Sequence, residues 1–278
     1  MPAEIVKRQH LVPQVYLKRF CASNLAKGHL YAFSKGCYSL GGEKYRIQKK
    51  SIAGVPYKEY YYDNSEVDRI YKETQAVEKS LSRNVDNRLG YTIKQIEKTL
   101  KRGELPNDKQ IAELLEFTAI QLFRTDQGKK WMEQNISKIN IIDLIQFDIE
   151  TSRGILLIET SLLTNIFKDV LKDYYITFLV NKSGYSFITS DNPVYTDKDM
   201  EKIYYPLTPE LGLYVRKPVK NKNRQRIRMQ KLYKASEVKK FNRLQIRGAE
   251  NWILSPVNML ETIKKELKIL DKELKWTL

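Results

Sequence analysis

The chain has 278 residues and a formal net charge of +16, from 49 Lys or Arg against 33 Asp or Glu. One-signed charge in that excess disfavours the compact state unless a polyanion screens it, so nucleic acid or an anionic surface leads the partner classes; a generally lysine-rich composition is the plainer account. Two cysteines, Cys21 and Cys37, cannot make a four-ligand zinc site alone, no run nears the ~18 apolar residues of a membrane span, and MPAEIVKRQH lacks the apolar core of a secretion signal.

The first element opens in QHLVPQVYLKRF, residues 9–20. Pro13 suits a first helical turn, where its missing N–H would go unbonded anyway. Tyr16 and Phe20, four apart, give a short helix over about 13–21 one aromatic face. HLYAF (29–33) and KYRIQ (44–48) predict strands on either side of Gly41-Gly42, and YKEYYY (57–62) an extended tyrosine-rich piece. Leucine spacing from Asn64 to about residue 101 predicts one or two helices, punctuated by Gly90 and by Gly103 to Pro106. Asn107 or Asp108 caps the plainest helix, 107–136, where Ile111, Leu114, Leu115, Thr118, Leu122 and Phe123 recur at helical spacing. Another amphipathic helix is expected over roughly 139–172. YYITFLVN (174–181), Lys182-Ser183-Gly184 and YSFITS (185–190) predict a β-hairpin. IYYPL (203–207) and LGLYVR (211–216) add strands; a helix near 235–249, a strand at 252–254 and a lysine-rich helix over 257–275 follow. The expected fold class is α+β: a helical middle region, about 64–172, packed on a small, mostly antiparallel sheet in a single domain, 1–278.

Charge is uneven along this chain. Between Tyr214 and Arg247 stand 13 Lys or Arg and one acid, Glu237, so 13 − 1 = +12 falls in 34 residues. Arg224, Arg226 and Arg228 alternate with Gln225, Ile227 and Met229, which on a strand puts three guanidiniums on one face. The candidate nucleic-acid contacts of this 214–247 segment are Arg216, Lys217, Lys220, Lys222, Arg224, Arg226, Arg228 and Lys231. Binding of this kind releases counter-ions and carries no base code of its own.

FITSDNPVY, residues 187–195, stops an apolar strand at Ser190-Asp191-Asn192, with Pro193 pushing Asn192 out of the helical region. A carboxylate held by a rigid turn can be a catalytic acid or base, or an Asx turn that ends a strand. H-x-x-P-x-x-Y-L-x-x-F at His10–Phe20, Arg124-Thr125, F-I-T-S-D-N-P-V and Y-P-L-T-P together resemble a prokaryotic family catalogued as domain of unknown function 4238. The resemblance runs from His10 to about Leu254 and implies His10, Arg124, Asp191 and Asn192 as site positions, with Gln14, Ser190 and Asn242 as second members. It implies no established reaction; the family's members look like accessory genes of mobile or phage-defence loci.

A metal nuclease needs several carboxylates or histidines aimed at its ions. With His29 the only histidine besides His10, a His-rich metal site is excluded; Asp197, Asp199 and Glu201 follow the turn closely enough to leave a magnesium site with Asp191 open, but they read as a solvated loop. No metal and no cofactor are expected. The reading is a cytoplasmic nucleic-acid hydrolase with reduced thiols and no membrane partner, acting on DNA rather than RNA in antiviral defence. N-glycosidic base excision is favoured, with Asp191 orienting water, Asn192 contacting base or water, and His10 stabilising charge; Tyr57, Tyr60, Tyr61 and Tyr62 offer stacking surface. Cleavage of DNA or RNA phosphodiesters, for RNA with His10 as acid or base and Arg124 on the phosphate, and a non-enzymatic nucleic-acid-binding regulator are the alternatives.

Overall fold

The computed structural model describes residues 5–35, 47–135, 146–218 and 225–275. In chain order, β1 (Arg8–His10) leads into α1 (Gln14–Leu17) and a 3-10 turn, Lys18–Phe20. Strands β2 (His29–Ser34), β3 (Ile47–Ser51) and β4 (Tyr57–Glu59) precede the helices. These are α2 (Ser65–Tyr71), α3 (Ala76–Ser80), a π-helical segment (Leu81–Asp86), α4 (Asn87–Lys101), α5 (Asp108–Phe123), α6 (Asp126–Asn135), α7 (Ile149–Ile158) and α8 (Thr160–Leu171). Then come β5 (Tyr175–Asn181), β6 (Thr189–Ser190), β7 (Tyr195–Thr196), β8 (Lys202–Thr208), β9 (Leu211–Arg216) and β10 (Ile227–Leu232). Helix α9 (Ala235–Gly248), strand β11 (Trp252–Ser255) and helix α10 (Leu260–Lys275) follow. The fold class is α+β, as the sequence indicates.

Two compact units divide the chain. The first holds residues 1–15 and 57–173, the second 16–56 and 174–278. In the first, β1 and β4 pair antiparallel beside the helices. Helix α5 is its axis. Asn107 and Gln110 form a reciprocal capping box at its start, and buried side chains from Ile111 to Phe123 point to more than one side. The expected 107–136 helix breaks at Arg124-Thr125 because α6 folds back there. Gly128 permits this: a Cβ at that position would run into the main-chain oxygen of Leu122. The expected 139–172 helix lies outside the described residues up to 145, and its described part is divided at Glu159, whose φ of −81° and ψ of 62° are not helical. Gly90 does not punctuate; it lies inside α4, where a Cβ would crowd Val15. Gly103 does end that helix, at φ +81°.

In the second unit, one sheet has the order β10-β5-β9-β8-β7, parallel only between β10 and β5. The other is antiparallel, in the order β3-β2-β11-β6. The expected 174–190 hairpin does not form. Asn181 closes its turn, accepting from Ser183 and donating to the Tyr185 carbonyl, while Asn242 of α9 bonds Ile188 N–H and the Ser186 carbonyl. These side-chain bonds replace a hairpin ladder, so β6 pairs with β11 in the other sheet. One face of the five-stranded sheet is sealed by Ile176, Phe178, Ile203, Tyr205, Leu213 and Val215. Tyr16 stacks on Tyr205 there at 5.3 Å, and its hydroxyl donates to the Pro206 carbonyl at 2.5 Å. The aromatic face expected of residues 13–21 is therefore a core face.

Candidate functional site

His10 and Arg124 lie in the first unit. His10 ends β1 opposite Tyr57, with the two rings edge-on at 6.2 Å, and the Gln14 amide donates to its Nε2 at 2.9 Å. Residue i to i+4 across the helix start makes this contact local, so Gln14 fixes the ring. Arg124 is 2% exposed. Its Nη1 donates to Asp86 at 2.6 Å and its Nη2 to the His10 carbonyl at 3.0 Å. Burial works against the guanidinium's charge, but Asp86 and the Tyr62 hydroxyl outweigh it and hold the pKa above the ordinary arginine value. The Tyr62 hydroxyl donates to the Arg124 carbonyl at 3.0 Å. The Gln9 amide extends the same fastening: it donates to Asp63 and accepts from Tyr62 N–H, both at 2.5 Å. Arg124 thus holds the end of β1 against the helices.

Sequence reasoning missed a polar network in this unit. A cavity of about 180 Å³ is lined by Tyr61, Asp63, Glu150, Arg153 and Gly154 among others. Arg153, 3% exposed, donates to Glu150 at 2.8 Å and to the Tyr61 hydroxyl at 3.1 Å, its guanidinium 4.8 Å from the Tyr61 ring centre. Tyr61 in turn donates to Asp126 at 2.8 Å. The one signal was an arginine inside the apolar run of ETSRGILLI, residues 150–158.

Asp191 and Asn192 lie in the second unit. Asp191 is 4% exposed and accepts three main-chain N–H groups, from Glu250 (3.0 Å), Asn251 (2.7 Å) and Trp252 (3.1 Å). Burial raises its pKa to about 6, although those three donors pull the other way. Asn192 donates to the Gly248 carbonyl at 3.0 Å. Ser190 donates to the Asn192 carbonyl at 2.8 Å and lies 3.0 Å from Gln245 Oε1, while the Gln245 amide donates to the Pro193 carbonyl at 2.8 Å. The turn is therefore laced to the end of α9 and the start of β11. Ser190 shares this lacing, Asn242 holds residues 186 and 188 just ahead of it, and Gln14 belongs with His10.

The described basic residues Arg216, Lys217, Arg226, Arg228 and Lys231 lie on or beside β9 and β10, whereas Lys220, Lys222 and Arg224 lie outside the described residues. Strand β10 starts only at Ile227, so Arg228 alone of the expected guanidinium row is within it and Arg226 just precedes it. Arg228 Nε donates to Thr177 at 3.1 Å, and Lys217 pairs with Glu201 at 3.5 Å. Among the described residues, no three His, Cys, Asp or Glu gather as a metal-ligand set, and no helix is long and apolar enough to cross a membrane.

Fold and site together define an α+β protein with a buried carboxylate turn and a basic sheet edge. The chain belongs to the family described as protein of unknown function DUF4238, whose pattern matches residues 8–256. No curated protein and no solved structure matches it.

Proposed function

We propose that this protein binds nucleic acid, DNA ahead of RNA, through the basic strands β9 and β10, and hydrolyses it in the cytoplasm as a defence against foreign DNA. The carrying observation is the +12 packed into residues 214–247, opposed there only by Glu237. Each phosphate neutralised by such a surface releases counter-ions, which supplies affinity without sequence preference. N-glycosidic base excision is the favoured reaction and phosphodiester cleavage the alternative. Asp191 is the group that would serve hydrolysis rather than binding alone: its Oδ1 accepts one main-chain N–H where Oδ2 accepts two, which leaves Oδ1 a lone pair for a water or proton, and burial pushes the carboxyl up to about 6. Asn192 stands beside it in the same turn.

The test is a gel shift of plain and phage-modified DNA over a salt series. The logarithm of affinity should fall linearly with that of salt, by roughly 0.7–0.9 per phosphate contacted. The products are then run on neutral and hot-alkali gels, with and without EDTA. Breaks seen only after alkali, and surviving EDTA, support base excision; direct breaks support strand cleavage. A salt-sensitive shift without breaks leaves binding alone, and no shift at all overturns the reading.

A further inference from the structure

The second face of the five-stranded sheet is only half covered. Register places Tyr175 opposite Arg216, Thr177 opposite Tyr214 and Arg228 opposite Thr177, so all of these side chains share one face. At one end, α9 covers that face: Val238 packs with Leu179, Phe187, Tyr204 and Leu232. Phe241 closes the covered half, 5.1 Å from the Tyr204 ring and edge-on to Tyr214 at 5.4 Å. Beyond Phe241, Tyr175, Tyr214, Arg216 and Arg228 are only partly buried and Arg226 is exposed.

This open half alternates rings with guanidiniums. Arg216 lies 6.0 Å from the centre of Tyr175, the outer limit of a cation–π contact. Its Nε is buried and finds no hydrogen-bond partner among the described residues. The acids near this face, Asp197 and Glu201, sit at the β8 side: Glu201 pairs with Lys217, and Asp197 accepts the Lys202 N–H. Asp197 also acts on Tyr214, but more weakly than Arg216 does, so positive charge dominates the β5–β9–β10 side, where the tyrosines stand.

We propose that the β5–β9–β10 side of this face is a stacking platform for single-stranded DNA. Bases would lie on Tyr175 and Tyr214, and phosphates would meet Arg216, Arg226 and Arg228. This deepens the nucleic-acid reading above and rests on it. Charge complementarity selects a polyanion, and partly exposed rings select one whose base faces are open. A duplex keeps its base faces in its own stack, so it would offer this surface phosphates alone. Tyr175 and Tyr214 are diagonal neighbours on adjacent strands, roughly 7–8 Å apart at the backbone, which lets each ring serve its own base.

The experiment is fluorescence anisotropy of the full chain with labelled oligothymidine of about 12 nucleotides, a DNA hairpin duplex and an oligouridine of the same length. Tyr175→Leu, an apolar strand former without a ring, should weaken oligothymidine binding by roughly 5- to 150-fold, the worth of one stacked base, and leave duplex binding unchanged. Tyr175→Phe should restore binding, and thermal unfolding should report all variants folded. Tyr233→Ala should bind like the unaltered protein, because that 66% exposed tyrosine stands beyond Leu232, off the platform. Equal binding of single strand and duplex, indifferent to Tyr175→Leu, would overturn the platform and leave the nucleic-acid reading standing. Binding of oligouridine alone would overturn the choice of DNA, and no binding to any probe would overturn both.

Discussion

Asp191 and Arg124 are both ionisable and nearly sealed from solvent, Asp191 held by three main-chain N–H groups and Arg124 by the Asp86 carboxylate and the His10 carbonyl, yet their titration shifts mean different things. Arg124 stays charged because Asp86 and the Tyr62 hydroxyl outweigh its desolvation. Removing it would take the guanidinium from Asp86 and leave the His10 carbonyl to the longer contact from the Tyr62 hydroxyl, at 3.3 Å, so its role in the first unit is to position β1. The Asp191 pKa is also raised, to about 6 against an ordinary 3.8, but by burial, which favours the neutral form of a carboxyl. The folded state therefore holds this proton more tightly than the unfolded chain does. Asp191 contributes stability fully present below about pH 4, and this is lost as pH rises through about 6; the full contribution is on the order of 3 kcal/mol. A carbon-13 titration of the Asp191 carboxyl should show a midpoint near 6, and a midpoint at or below 4 would refute both the shift and its use in the proposed hydrolysis.

At the scale of elements, small residues and side-chain amides decide where helices and strands stop. The strong apolar pattern of 107–136 gave no warning that two helices share it, because the determinant is the close approach of α6 to the end of α5 at Gly128. Gly128→Ala should lower stability by about 1–3 kcal/mol or more in urea unfolding, since its methyl meets backbone that can move only by shifting a helix. Gly54→Ala, with nothing within 4 Å and no positive φ, should lie within about 0.5 kcal/mol of the unaltered protein. If the two variants unfold alike, the packing account of this break fails. The missing hairpin at 174–190 has the same origin: Asn181 and Asn242 satisfy main-chain groups that the sequence pattern assigned to a ladder.

At the scale of the whole molecule, neither unit is a continuous stretch of chain. The second needs residues 16–56 as well as 174–278. Strand β2 pairs with β11, and Tyr16 fills the core beneath Tyr205. A fragment of residues 174–278 would expose the edge of β11 and the apolar surface under Tyr205. It should therefore show no cooperative thermal transition by circular dichroism, whereas the full chain should. A cooperative transition in that fragment would show that the N-terminal segment is dispensable to the unit.

Local pattern alone determined the α+β class, most strand positions, the start of α5 to within Asn107 or Asp108, and the concentration of charge between Tyr214 and Arg247. The motif residues His10, Arg124, Asp191 and Asn192 were also legible, since a histidine before Pro13 and an Asp-Asn-Pro turn stand out by type and spacing. Only the tertiary structure decided what their polar atoms do. Arg124 reaches Asp86, Asp191 reaches the N–H groups of residues 250–252, and these partners lie 38 and about 60 residues away along the chain. Periodicity reports which face of an element is apolar; it carries no information about which distant main-chain group will meet a buried charge, because that pairing exists only once the elements have packed.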